Sequence, residues 1–269
     1  MAIKDGTFIW HELMTTDTAA AQKFYGDVVG WTFKSPPPGM GMPDVPYTLI
    51  STNGQDVGGM MAQSDTCGGG EAKPGWLGSV KVDDVDATAA KVKDLGGMIY
   101  YEPTDIPGVG RFAIAGDPGG GTICLLKIDG MPDKDPDPNG QMAIGHTGWN
   151  ELHSTDWEKS FGFFQKMFGW TKSTAMDMGP MGTYQLFATD GKTGDDARAV
   201  GGMMTKMPEI PMPGWLFYFN VDAIDAAIDR VKAGGGEVLM GPHEVPGGAW
   251  IIQGRDPQGA MFALVSTKR

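Results

Sequence analysis

The chain repeats itself at one spacing, and this limits its fold more than any other feature. Trp10-His11-Glu12-Leu13 returns as Trp149-Asn150-Glu151-Leu152, an offset of 139 (149 − 10). The same offset carries Thr16-Asp17 onto Thr155-Asp156 and Gly30-Trp31-Thr32 onto Gly169-Trp170-Thr171. It carries Pro74-Gly75-Trp76-Leu77 onto Pro213-Gly214-Trp215-Leu216, Ile106-Pro107-Gly108 onto Val245-Pro246-Gly247, and Asp117-Pro118 onto Asp256-Pro257. Val57-Gly58-Gly59-Met60-Met61 returns as Val200-Gly201-Gly202-Met203-Met204 at an offset of 143, a difference that loops absorb. Recurrence on this scale means duplication. The copies are expected at 1–129 and 143–269. Residues 130–142, rich in Pro, Asp and Gly, read as an exposed linker stiffened by its prolines.

Each copy divides again. Residues 9–15 alternate like a strand. Asp17 caps a helix through Phe24 and Tyr25 to Val29, and Gly30 stops it. Strands are expected at 31–34, 47–52 and 57–62. The order then restarts with a strand at 77–82, a helix begun by Asp84 or Asp86 and ended at Leu95-Gly96-Gly97, and strands at 98–102, 111–115 and 122–128. Asp117-Pro118-Gly119-Gly120 is turn chemistry. The chain is thus expected to be α+β, with four βαβββ modules.

A strand, a capped helix holding Phe-Tyr, then Gly-Trp, followed by Val82-Asp83-Asp84-Val85-Asp86 and a closing Asp-Pro-x-Gly turn, resembles vicinal-oxygen-chelate domains. These are the glyoxalase, bleomycin-resistance and extradiol-dioxygenase type. The resemblance covers nearly the whole chain and implies two tandem barrels. It is closest to a tandem bacterial branch described as glyoxalase-like or hydroxylase-like. Metal-dependent relatives place ligands on the first and last strands of each module. The corresponding slots hold Trp10, Met60 or Met61, Leu77 and Cys124 in copy one, and Trp149, Met203 or Met204, Leu216 and Ala263 in copy two. Zinc, iron and manganese sites in this fold want imidazole and carboxylate. No metal or other cofactor is therefore expected. A one-residue register slip, which would turn His11 inward, is the route back to a divalent metal.

With Trp10 inward, the period of two puts Glu12 and Met14 on the same face, and Trp149, Glu151 and His153 on the equivalent one. A carboxylate on an apolar, Trp-flanked wall is a candidate general acid or base, and His153 can share a proton with Glu151. Glu12, Glu151 and His153 are the candidate catalytic residues. The plain alternative is structural pairing of the carboxylates and a hydrogen-bonded strand histidine. Trp10, Trp76, Trp149 and Trp215 are candidate ligand-binding residues. Arg111 joins them if it faces inward and is a surface charge if it faces outward. His243 and Glu244 are expected in a solvated loop. The 19 methionines either line an adaptable apolar pocket or simply pack.

The expected function is binding of a small organic molecule, with metal-independent acid–base chemistry of lyase or isomerase type. The alternatives are sequestration of a toxic or antibiotic compound without turnover, and a metal-dependent glyoxalase or dioxygenase. A net charge of −12 argues against a nucleic-acid partner. No apolar run reaches the length of a membrane span or follows the N-terminal lysine as in a signal peptide. Only Cys67 and Cys124 are present, so a cytoplasmic location is expected.

Overall fold

The computed structural model describes residues 3–63, 73–132 and 140–269; Cys67 and the greater part of the expected linker lie outside the described residues. The first module runs β1 (Phe8–Thr15), α1 (Thr18–Val29), β2 (Thr32–Lys34), β3 (Tyr47–Thr52) and β4 (Gln55–Ala62). The second runs β5 (Gly75–Lys81), α2 (Val85–Asp94), β6 (Met98–Ile106), β7 (Gly110–Gly116) and β8 (Thr122–Ile128). Copy two repeats this as β9 (Thr147–Ser154), α3 (Trp157–Phe168), β10 (Thr171–Asp177), β11 (Thr183–Ala188) and β12 (Ala199–Thr205). It closes with β13 (Gly214–Asn220), α4 (Ile224–Ala233), β14 (Glu237–Val245), β15 (Ala249–Arg255) and β16 (Met261–Ser266). The chain is α+β, with the four expected βαβββ modules.

Local chemistry explains the boundaries. The Asp17 side chain accepts from Ala20 N at 3.0 Å, and Asp84 from Ala87 N at 2.9 Å, so each satisfies an orphan donor of its helix. Gly30 and Gly169 end α1 and α3 in the left-handed region, at φ 86° and 72°. The tryptophans that follow them are buried at once. Strand β6 runs past its expected end at Glu102, through Pro103, to Ile106. It is an edge strand with a register shift between Tyr101 and Thr104, where a missing N–H is tolerated. By the same token His243 and Glu244 lie in edge strand β14, a correction to the expected loop.

Among the described residues the strands form two eight-stranded sheets, ordered β2-β3-β4-β1-β5-β8-β7-β6 and β10-β11-β12-β9-β13-β16-β15-β14. The first strand of each module pairs parallel with its last, β1 with β4, β5 with β8, β9 with β12 and β13 with β16. The helix between them is the crossover that parallel pairing needs.

Compact packing groups the modules differently from the sequence. One unit comprises Met1–Ile9, Gly78–Pro136 and Trp149–Trp215; the other comprises Trp10–Leu77, Asp137–Gly148 and Leu216–Arg269. The first unit's core joins Val80, Val92, Ile123 and Leu125 of copy one to Leu152, Phe161, Phe164, Trp170 and Phe187 of copy two. Trp170 stacks on Phe187, with ring centroids 4.4 Å apart, and its Nε1 donates to the Gly6 carbonyl at 3.0 Å. In the second unit Tyr25, Trp31 and Trp76 pack edge-on or tilted against Phe219 and Phe262. There Trp31 Nε1 donates to the Gly145 carbonyl at 2.7 Å. The Gly-Trp motif thus serves the same purpose in both copies, a buried indole whose one polar atom is satisfied by backbone.

Candidate active site

On β9, Leu152 enters the core with Phe161 and Phe164 of α3. Alternation then turns Trp149, Glu151 and His153 to the other face of the strand. The equivalent on β1 buries His11, Leu13 and Thr15 and leaves Trp10, Glu12 and Met14 half-buried. The residues expected to share a face do so.

What joins them is a tyrosine. Trp10 Nε1 donates to Tyr47 Oη at 2.9 Å, and Tyr47 Oη donates to Glu12 Oε1 at 2.6 Å. In copy two, Trp149 Nε1 donates to Tyr184 Oη at 2.7 Å, and Tyr184 Oη donates to Glu151 Oε2 at 2.8 Å. Each Trp–Tyr–Glu chain lies within one compact unit. His153 Nε2 stands 2.9 Å from Glu151 Oε1, as the sequence spacing anticipated. Burial pushes the Glu12 carboxyl above its usual pKa, and the Tyr47 hydroxyl opposes that shift.

The tyrosines were not anticipated. They recur at an offset of 137 (184 − 47), inside the stretch where the repeat changes register. The Val-Gly-Gly-Met motif held the second clue. Gly59 lies opposite Glu12 in the β1–β4 ladder, and Gly202 opposite Glu151 in β9–β12. A Cβ at Gly59 would fall on the Tyr47 ring, and one at Gly202 on the Tyr184 ring. The second glycine of the motif is the space through which the ring reaches the carboxylate.

The other candidates are placed elsewhere. Trp76 belongs to the aromatic core of its unit and donates from Nε1 to Tyr25 Oη at 3.0 Å. Trp215 packs against Phe8, Phe164 and Trp170. Both rings are half-buried and pack against the aromatic side chains of their units. Arg111 faces outward: its Nε and Nη2 bond Asp86 at 2.7 and 2.9 Å, and its Nη1 bonds Asp105 at 2.8 Å. His11 lies on the opposite face of β1 from Glu12, 3.1 Å from Thr147 Oγ1 and edge-on to Phe217. The slip that would turn it inward is absent. It borders a cleft with Trp31, Trp76 and Phe219 that has room for no more than a water. Met60 and Met203 are fully buried, so the packing account holds for them.

The comparisons agree with this architecture. The glyoxalase/bleomycin resistance protein/dioxygenase superfamily matches residues 143–264, and the bleomycin resistance protein-like N-terminal family matches residues 7–52. CFP32 of Mycobacterium bovis, named as a glyoxylase, is 32% identical over 270 residues, covering 97% of this chain and 95% of its own. The anthracycline biosynthesis protein DauV of a Streptomyces species is 28% identical over 277 residues, covering 98% and 94%. Among solved structures, the Mn(II)-bound glyoxalase of Novosphingobium aromaticivorans shares the fold at a TM-score of 0.64 and 15% identity, over 99% of this chain and 83% of that one. With two βαβββ pairs in tandem and a full-length relative above 30% identity, the chain belongs to the glyoxalase/bleomycin resistance/dioxygenase superfamily.

Proposed function

We propose that the Trp–Tyr–Glu sites bind a small, flat, hydroxylated organic molecule, and that Glu12 and Glu151, with His153, accept a hydrogen bond or a proton from it without a metal. The observation that carries this reading is the repeated carboxylate, recessed beside an indole and held by one tyrosine hydroxyl. The indole and phenol offer flat apolar surface, and the carboxylate accepts a hydrogen bond from a ligand hydroxyl. One relative is named for the biosynthesis of anthracyclines, which are fused-ring phenolic quinones, and that chemistry fits these surfaces. Lyase or isomerase chemistry follows if the proton leaves carbon or oxygen of the ligand. The second reading, sequestration without turnover, is supported by the bleomycin resistance-like match at residues 7–52. No helix among the described residues is long and apolar enough to cross a membrane. A chain with two cysteines suits a reducing cytoplasm.

A structural neighbour holds manganese, so the donors here bear on the chemistry. They do not fit a divalent ion. Among the described residues no three His, Cys, Asp or Glu side chains converge, and the tyrosine hydroxyl beside each glutamate is spent as a donor to it. Protein purified without chelator is expected to carry far less than one equivalent of zinc, iron, manganese or nickel per sheet, measured by plasma mass spectrometry. Tightly held stoichiometric metal would restore the metal-dependent alternative.

The glutamates provide the direct test. Glu12→Gln and Glu151→Gln each remove a charged acceptor, a loss on the order of 1.5–3 kcal/mol. Binding of 1,4-dihydroxyanthraquinone should weaken by roughly 10- to 100-fold at the altered site. Glu12→Gln has a second signature. The folded carboxyl titrates above its unfolded value, so its ionisation opposes folding. That penalty is absent below the ordinary carboxylate range and grows as pH rises through the folded pKa. Glutamine escapes it, so Glu12→Gln should raise Tm at pH 7–8, with the gain shrinking toward pH 4. A residue that costs stability while supporting binding is what a functional carboxylate predicts. Unchanged binding in both variants would sink the assignment.

A further inference from the structure

The two sites differ at one position, two residues beyond each glutamate. Met14 stands there in copy one and His153 in copy two. In copy two both carboxylate oxygens are engaged, Oε2 by the Tyr184 hydroxyl and Oε1 by His153 Nε2. An ionised carboxylate only accepts, so the imidazole proton belongs on Nε2 and the lone pair on Nδ1. Nδ1 is buried and has no hydrogen-bond partner among the described residues. A polar atom left in that state needs an explanation, and reservation for a ligand is one. A carboxylate behind an imidazole fixes its tautomer and stabilises the imidazolium that forms on protonation. In copy one, Tyr47 donates to Glu12 Oε1, and the Met14 thioether beside it cannot take up a proton near neutral pH.

We propose that the two sites have divided labour: the Glu151–His153 site removes a proton from the ligand hydroxyl, and the Glu12 site holds the same ligand in its protonated form. This inference rests on the ligand class proposed above. In the transfer the ligand O–H bond breaks and its electron pair stays on oxygen. The proton passes to His153 Nδ1, directly or through one water. The imidazolium so formed donates from Nε2 to Glu151, and total charge is conserved. His153 is the proton acceptor and Glu151 its positioning partner, whereas Glu12 acts on the ligand directly.

1,4-Dihydroxyanthraquinone reports the step, because its anion absorbs to the red of the neutral form. Titrated with the full chain at pH 7, the parent should bind two equivalents and hold one as the anion. His153→Gln keeps a donor for Glu151 but has no basic nitrogen. It should still bind two equivalents and lose the anionic band at least tenfold, with its pH midpoint displaced upward. Met14→His, which copies the second site into the first, should gain a second anionic equivalent. Retention of the band in His153→Gln overturns the proposal, as does loss of the band in Glu12→Gln with retention in Glu151→Gln. Two-site binding by the parent without any anionic band defeats this inference alone. No binding by the parent defeats the ligand class itself, and this inference with it.

Discussion

Residues 1–129 and residues 143–269, produced as separate chains, are expected to be unfolded or self-associated at micromolar concentration, and to recover cooperative melting when mixed. The reason lies in the composition of each core. One unit sets Val80, Val92, Ile123 and Leu125 from copy one against Phe161, Phe164, Trp170 and Phe187 from copy two. The other sets Tyr25, Trp31 and Trp76 against Phe219 and Phe262, with the buried Tyr25 hydroxyl donating to Asp256 at 3.0 Å. Burying each large apolar side chain contributes about 1.5–3 kcal/mol. Losing half a dozen partners therefore costs about 9–18 kcal/mol, enough to cancel the roughly 5–15 kcal/mol by which a typical domain is stable. Leaving Asp256 or the Trp31 and Trp170 indoles without partners adds to the loss. We accordingly propose 1–129 and 143–269, joined through 130–142, as duplicated sequence domains that fold only together. Sedimentation and circular dichroism decide the matter. A half that melts cooperatively as a monomer would show that its own sheet suffices.

Local signals carried the fold. Asp17, Asp84, Asp156, Gly30 and Gly169 mark helix ends through hydrogen bonds made within one or two turns, so the residues nearby encode them. Alternation along 9–15 set the faces of β1 because only one side reaches the core. It therefore also placed Glu12 on the face of Trp10, and Glu151 and His153 on the face of Trp149. Pairings across strands were harder. Tyr47 reaches Glu12 past β4, 35 residues away in sequence, and nothing adjacent to either residue announces the other. The 139-residue repeat shows that two copies exist but not which helices share a core, because both groupings satisfy the same apolar pattern. Trp76, Trp215 and Arg111 take partners other than the paired glutamates for a related reason. An indole next to a strand start suits a core as well as a cavity. A strand-initial arginine goes to whichever carboxylates are near, here Asp86 and Asp105.

The Val-Gly-Gly-Met motif gives the sharpest separation of fold from site, since its two glycines should fail in opposite ways. A Cβ at Gly201 meets the Asn150 backbone oxygen and the Phe187 ring. Neither can yield: the oxygen belongs to the parallel β9–β12 ladder, and Phe187 is fully buried against Trp170. Gly201→Ala should cost on the order of 3 kcal/mol, a fall in Tm of about 6–12 °C for a chain of this size. Whatever fraction remains folded should still bind ligand at the second site. The three atoms nearest a Cβ at Gly202 all belong to the outer end of the Tyr184 ring, so the substitution pushes against a side chain and not against the β9–β12 backbone. Gly202→Ala should therefore cost about 1–2 kcal/mol while removing the hydroxyl from Glu151 and the acceptor from Trp149. Binding at that site should fall at least tenfold, the expected loss for one charge-assisted hydrogen bond. Tyr184→Phe should reproduce the binding loss without the clash, and so separates a missing hydroxyl from a displaced ring. The same contrast is expected between Gly58 and Gly59, because a Cβ at Gly58 meets the His11 backbone oxygen and one at Gly59 meets the Tyr47 hydroxyl. If Gly202→Ala and Tyr184→Phe both bind 1,4-dihydroxyanthraquinone as tightly as the parent, the tyrosine is a packing element. Glu151 would then not depend on Tyr184, and the paired site of copy one, which has methionine where copy two has His153, would lose its claim to chemistry.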